Sequence, residues 1–287
     1  MGLFNKISAL FQSSQAPDEA VTHAYDQIAG QLPEIAAIPG GHRRLMPLIE
    51  QALAHYERIA ATIPGPVPLS VAAHGDSSVL ATLFPSADEI TQGLGRSLAV
   101  RNSLSWFVDH SHQSVVAVMG MRHREVTPGS ACFTDHTIRS LGTSVGDTRR
   151  SLCEAAFSSL VKTFATQSAE RQRQWRLTHS TKAVHRELNQ RNGVADHPPV
   201  GDDQEPTPEH ELERLAEWLM APEAHLRIDE GHSHRVNGHD GGDSALEIPL
   251  LATNDRRKWL VCLVEFPLSE ALKAVERETQ PHRYILI

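Results

Sequence analysis

The segment Gly142-Thr143-Ser144-Val145-Gly146 fits G-x-S-x-G and precedes a helical stretch, the arrangement of a nucleophile elbow. Such an elbow belongs at the end of a strand in a parallel sheet, with Asp and His following in the chain. Here the strand before it reads as half of an antiparallel hairpin, and alternating βαβ units are absent. The segment is therefore expected to be a Gly/Ser loop in which Asp147 caps the helix.

A second group is Asp109-His110-Ser111-His112, placed between a helix and a strand, with Cys132, Asp135 and His136 on the partner strand. Imidazoles two residues apart on a strand project the same way, so His110, His112 and His136 are the candidate metal ligands of a metal-dependent hydrolase. HExxH is missing and nothing fixes a further ligand, so hydrogen-bonded loop histidines are the leading expectation. A third group comprises Asp229, Glu230, His232, His234, His239, Asp240 and Asp243, scattered among Gly231, Gly238, Gly241 and Gly242. A Gly-rich loop must lose much conformational freedom before it can grip an ion, which favours a solvated loop. A P-loop, a G-x-G-x-x-G turn and an EF-hand loop are all missing, so neither a cofactor nor a small-molecule substrate is inferred.

Charge and apolar patterning point to binding. Arg171, Arg173, Arg176, Lys182, Arg186 and Arg191 crowd one stretch, with Trp175, His179 and His185 among them. They could hold an anionic surface, lipid or nucleic acid, by counterion release. Acidic residues from Asp196 to Glu217 follow directly and compete for them at high effective concentration, which disfavours nucleic acid. In the same stretch Trp175, Leu177, Val184 and Leu188 are the apolar residues expected to meet a partner. At the N-terminus Leu3, Phe4, Ile7, Leu10 and Phe11 fall on one side of a helix of about ten residues, too short to persist alone, so this stripe must dock on something. Docking on the protein itself or another subunit is favoured over a membrane surface, because Lys6 is the one basic side chain nearby.

The elements that carry these residues follow from punctuation and period. A segment over 1–16 is followed by an α+β unit over 17–141. Within it helices are expected at 17–30, 45–62, 77–84 and 86–108, the last opened by a capping box of Ser86 and Glu89. A loop is expected at 32–43 and a short strand at 67–73, and strands 113–126 and 131–141 form a hairpin. From 147 to 192 there is neither proline nor glycine, and Gly193 stands where a C-cap would. One helix of about 45 residues is expected within 142–192, close to 68 Å long at about 1.5 Å per residue. Its first half, with Leu152, Cys153, Phe157, Leu160, Val161 and Phe164, should pack on a body. Its heptad seam fails around 167–174, so it is no ideal coiled coil.

An acidic, Pro-rich linker follows over 193–208, then a second α+β unit over 209–287. That unit should hold helix 209–220, strand 224–229, loop 230–244, a hairpin of 246–253 and 258–266, helix 267–279 and a final strand 283–287. The run Trp259-Leu260-Val261-Cys262-Leu263-Val264 implies a strand covered on both faces. The fold class is thus α+β: two units of antiparallel hairpins packed on helices, joined by a long central helix, with sharing of one sheet left open.

Composition agrees with a folded domain: 40% of residues are hydrophobic and 22% charged, with a net charge of −8. No run of about 18 apolar residues spans a bilayer, and the start lacks the apolar core of a secretory signal. Lys6 stands where myristoylation wants Ser or Thr. Cys132, Cys153 and Cys262 are far apart and form no CxxC, which argues against a disulfide framework and for the cytoplasm, with docking at the inner face of the membrane as a variant. The leading functional expectation is a non-catalytic interaction protein that forms a homo-oligomer, or binds another protein, through the long helix. The metal-dependent hydrolase and a peripheral adaptor on an anionic surface are its rivals.

Overall fold

The computed structural model describes residues 17–127, 130–191, 206–236, 245–254 and 257–279. The expected N-terminal stripe, most of the linker and the final strand lie outside them. The mixed class holds: helices and one sheet, most of whose pairings are antiparallel, with one very long helix. The helices are α1 (Pro17–Gln31), α2 (Pro33–Ala36), α3 (Gly41–Thr62), α4 (Ser78–Leu83), α5 (Ala87–Arg96), α6 (Leu98–Asp109), α7 (Val145–Arg191), α8 (Pro208–Met220) and α9 (Leu268–Thr279). The strands are β1 (Val67–Pro68), β2 (Ser114–Thr127), β3 (Ser130–Gly142), β4 (Leu226–Val236), β5 (Leu246–Thr253) and β6 (Lys258–Pro267). No helix among the described residues is long and apolar enough to cross a membrane.

The chain forms two compact units that interleave in sequence. One draws on 53–156 and 223–279, the other on 17–52 and 157–222. The first holds every strand, in the order β3-β2-β6-β5-β4, with β1 pairing parallel to β6. Both hairpins therefore share one sheet. Strand β6 pairs with β2 from Leu260↔Met121 to Pro267↔Ser114. Its other edge pairs with β5 at 258–260 and with β1 at Val264 and Glu265.

Leu260, Cys262, Val264 and Phe266 join Val115, Ala117, Met119 and Met121 in a core completed by Leu94, Phe107 and Ala271 of the helices. Val116, Val118, Val261 and Leu263 on the opposite face are buried too. The continuous apolar run did imply a doubly covered strand. Gly65 approaches it so closely that an added Cβ would lie 2.5 Å from the Leu263 carbonyl oxygen, and its φ of +112° is glycine's territory.

Several expectations are corrected. The helix over 86–108 is two helices, because Ser97 leaves the helical region with ψ at 115°. Its hydroxyl then accepts the Val100 amide at 3.2 Å, capping α6, and donates to Ile138 O at 2.8 Å. Ser86 makes no side-chain cap, so the capping box is not closed. The loop over 32–43 contains α2, with Pro33 at a first-turn position that needs no amide, and α3 already begins at Gly41. The strand over 67–73 is confined to β1, since Val71 N turns to donate to Glu270.

Strand β4 does not end at 229. The register passes from Ile228↔Leu251 to Ser233↔Pro249, so the Gly/His segment begins as a bulge and returns to the sheet. On α3 the buried stripe is Leu45, Ile49, Ala52, Tyr56 and Ile59, while Leu48 and Leu53 are half-buried.

Helices α5 and α9 meet at Gly95, where an added Cβ would lie 2.6 Å from the Ala274 carbonyl oxygen. Gly95→Ala is therefore expected to destabilise by about 1–3 kcal/mol through overpacking. An unchanged denaturant midpoint would contradict that contact.

Candidate functional site

Of the G-x-S-x-G segment the structure makes a helix start. The Thr143 and Ser144 hydroxyls donate to Asp147 Oδ2 at 2.5 and 2.7 Å, and the Asp147 amide donates back to Ser144 Oγ at 3.1 Å. Burial pushes the Asp147 carboxyl up, but these hydroxyls and Arg150 outweigh it and hold the group below the ordinary range. Ser144 Oγ thus caps the first turn of α7, and among the described residues no imidazole hydrogen-bonds it. Cys153 and Cys262 are buried thiols pushed up to about 12 by burial, the opposite of an activated cysteine.

The proposed His110/His112/His136 ligand set is not assembled. His110 and His112 lie in the turn before β2, where Ser111 has a φ of 57°, and not on a strand. His110 donates from Nδ1 to Trp106 O at 2.8 Å and stacks on Trp106, as His112 does. His136 donates from Nε2 to Leu83 O at 2.9 Å and stacks on Phe84. Burial lowers its pKa despite that bond and nearby carboxylates. Among the described residues no three His, Cys, Asp or Glu side chains are grouped to hold a metal ion. Of the third group, Asp229 accepts from His232 Nδ1 at 3.1 Å and Lys258 Nζ at 2.9 Å, which consumes its carboxylate within the bulge. His239, Asp240 and Asp243 lie outside the described residues.

The helical unit shows how the long helix is gripped. Phe157, Leu160, Val161, Phe164 and Ser168 of α7 are buried, as are Glu211, Leu212, Leu215 and Leu219 of α8. Thr207 caps α8, and Pro208 occupies its first turn. Glu211 is 3% exposed and takes a forked pair of bonds from Arg171, from Nε at 3.2 Å and from Nη2 at 2.5 Å. Arg171 also lies over the Phe164 ring. Burial pushes the Glu211 carboxyl up, but bonds from Arg171 and Ser168 and the charges of Arg171 and Arg214 more than reverse it. A cleft of about 180 Å³ beside Glu211, floored by Ala165 and Ala169, is below the roughly 300 Å³ at which ligand pockets begin.

Beyond Ser168 no described side chain of α7 is buried. Trp175 is half-buried and stacks on His179 with centroids 4.0 Å apart. Its Nε1 is buried and makes no hydrogen bond to another described residue. Leu177 is 58% exposed. At about 100° per residue Trp175 and Leu177 point nearly opposite ways, whereas positions 177, 184 and 188 share one face. The four apolar residues are therefore not one patch, and Trp175 continues the face of Phe164, Ser168 and Arg171. The side chains of Lys182, Val184, Arg186 and Leu188 are outside the described set.

Arg173 pairs with Glu170 at 3.1 Å, so two of the described basic residues already have carboxylate partners, while Arg176 is exposed. Arg171 and Glu211 were legible as charges but not as partners. The available signal was Glu211 standing one turn before Leu215 on the apolar face of α8.

A histidine pair escaped the sequence reading. His123 of β2 and His234 of β4 have ring centroids 4.6 Å apart, with Phe133 of β3 edge-on to both. Burial chiefly, and His123 secondarily, lowers the pKa of His234. No family model, no curated protein and no solved structure matches the chain.

Removing the Arg171 side chain would leave Glu211 buried with only the more distant Arg214, at 3.8 Å, among the described cations that pair with it. Arg171→Met is expected to cost about 3 kcal/mol, the low end for a broken buried pair, because water still reaches the Arg171 side. Glu211, with its folded pKa depressed, stabilises the fold above its ordinary pKa, and that contribution is lost as pH falls through the folded value. Urea titrations from pH 7 to pH 3 should show Glu211→Gln flattening this acid limb, and identical slopes in both proteins would refute the assignment.

Proposed function

We propose that the chain is a non-catalytic interaction protein that associates, with a second copy or with another helical protein, through the far part of α7. The observation that carries this reading is Leu177, 58% exposed on a helix that runs on to Arg191. Its face is the one positions 184 and 188 share, a 4-3-4 rhythm with Thr181 that suits packing of one helix along another. A leucine left in water there forgoes about 1.5–3 kcal/mol of burial. The cap role of Ser144 and the engaged histidines favour a binding protein over a hydrolase.

Sedimentation equilibrium tests the self-association arm, and capture from lysate by full-length protein tests the other. A mass above one chain, or a captured partner, is expected to be weakened about ten- to a hundred-fold by Leu177→Asp, the equivalent of one lost leucine anchor. A single-chain mass at every loading together with no partner sensitive to Leu177→Asp would reject the reading.

A further inference from the structure

We propose that His123 and His234 form a two-imidazole site for a divalent transition metal of the Ni²⁺ or Cu²⁺ type. The two residues come from strands that are not neighbours in the sheet order. They stand on stretches of β2 and β4 that have no ladder to β6, and their rings meet over Phe133. The ladder of β6 with β2 stops at Met121↔Leu260 and that with β5 at Leu250↔Leu260. From Leu260 the two ladders leave β6 in opposite directions: β2 continues beyond Met121 paired with β3, at His123↔Phe133, and β5 before Leu250 is paired with β4, at His234↔Ile248. The two flaps close on each other over Phe133, which is 1% exposed.

The spacing allows the two rings to share one ion. A metal–nitrogen bond of about 2.0–2.1 Å places an imidazole centroid about 3.2 Å from the ion. Centroids 4.6 Å apart lie within the reach of one shared ion, and Ni²⁺ and Cu²⁺ stand at the upper end of the affinity order for nitrogen donors. Neither ring makes a hydrogen bond to another described residue. His55, His74, His110 and His136, by contrast, each spend a ring nitrogen on a backbone carbonyl. His123 is exposed and His234 half-buried, so an ion can enter, and water can complete its coordination.

The test is calorimetric titration of untagged full-length protein with Ni²⁺ at pH 7.5 in a non-chelating buffer. One Ni²⁺ per chain is expected. His123→Gln and His234→Gln should each weaken it by at least about tenfold, since loss of even an outer-shell group costs that much. His232→Gln, which removes the neighbouring imidazole engaged by Asp229, should leave it unchanged. Absence of binding, binding that survives both variants, or equal loss in His232→Gln would overturn the proposal. Electron paramagnetic resonance of the wild-type Cu²⁺ adduct needs no variant: two equatorial nitrogens support the site, and fewer than two overturn it.

Discussion

Strand β6 is the constraint on which the sheet unit rests. Leu260, Val261, Cys262, Leu263 and Val264 are buried in succession, so side chains on both faces are out of water at once. A strand in that position must also satisfy backbone groups along both edges, because water reaches neither. One edge is served by β2. The other is served in relays: β5 at 258–260, then the Pro64 carbonyl, which accepts the Leu263 amide at 2.7 Å, then β1, and then Leu69, whose amide donates to Glu265 O at 2.6 Å. No single neighbour runs the full length, which explains why segments from 64–69, 114–121 and 250–252 all converge on ten residues near the end of the chain. The sheet cannot be completed from either hairpin alone, and such non-local pairing is slow to form.

The helical unit solves a different problem with a charge. The buried face of α7 carries Ser168 and Arg171 where apolar residues would continue the run from Phe157 to Phe164. Glu211, facing them, is almost wholly removed from water. An ion pair there adds little net stability, since desolvation offsets most of the attraction. It does select one axial register. Sliding α8 by a turn would bury Glu211 without Arg171, whereas a purely aliphatic seam would tolerate the slip.

What could be read from the residues followed local rules. The absence of proline and glycine through the central segment delimited α7 to within a few residues, and apolar runs with turn residues between them delimited both hairpins. What escaped reading was decided by distant partners. Ser97 breaks a helix without Pro or Gly because its hydroxyl is bound at Ile138 O, a strand away. The return of β4 after its bulge depends on β5 and not on the Gly/His composition of 230–236. The metal candidates failed for a similar reason: the His110–His112 spacing has the period of a strand, but those residues sit in a turn. His123 and His234 carry no mutual signal in sequence, because they stand on strands that are not neighbours in the sheet.

The failure of the heptad seam in α7 has a geometric origin. Cys153, Phe157, Leu160 and Phe164 are spaced 4-3-4, and Phe164, Ser168, Arg171 and Trp175 repeat that spacing eleven residues on. An eleven-residue repeat corresponds to about 3.67 residues per turn, close to the undistorted helix, so one face stays aligned without the left-handed winding that heptads impose. A seven-residue template applied to such a helix loses phase after two turns and reports an interruption where the stripe in fact continues with polar members. The same arithmetic separates the two ends of the apolar inventory. Trp175 belongs to the aligned face that holds Phe164, while Leu177 lies about 160° away from it. Any helix that met α7 at Leu177 would therefore leave the Arg171–Glu211 pair undisturbed, and association and internal packing would draw on opposite sides of one rod.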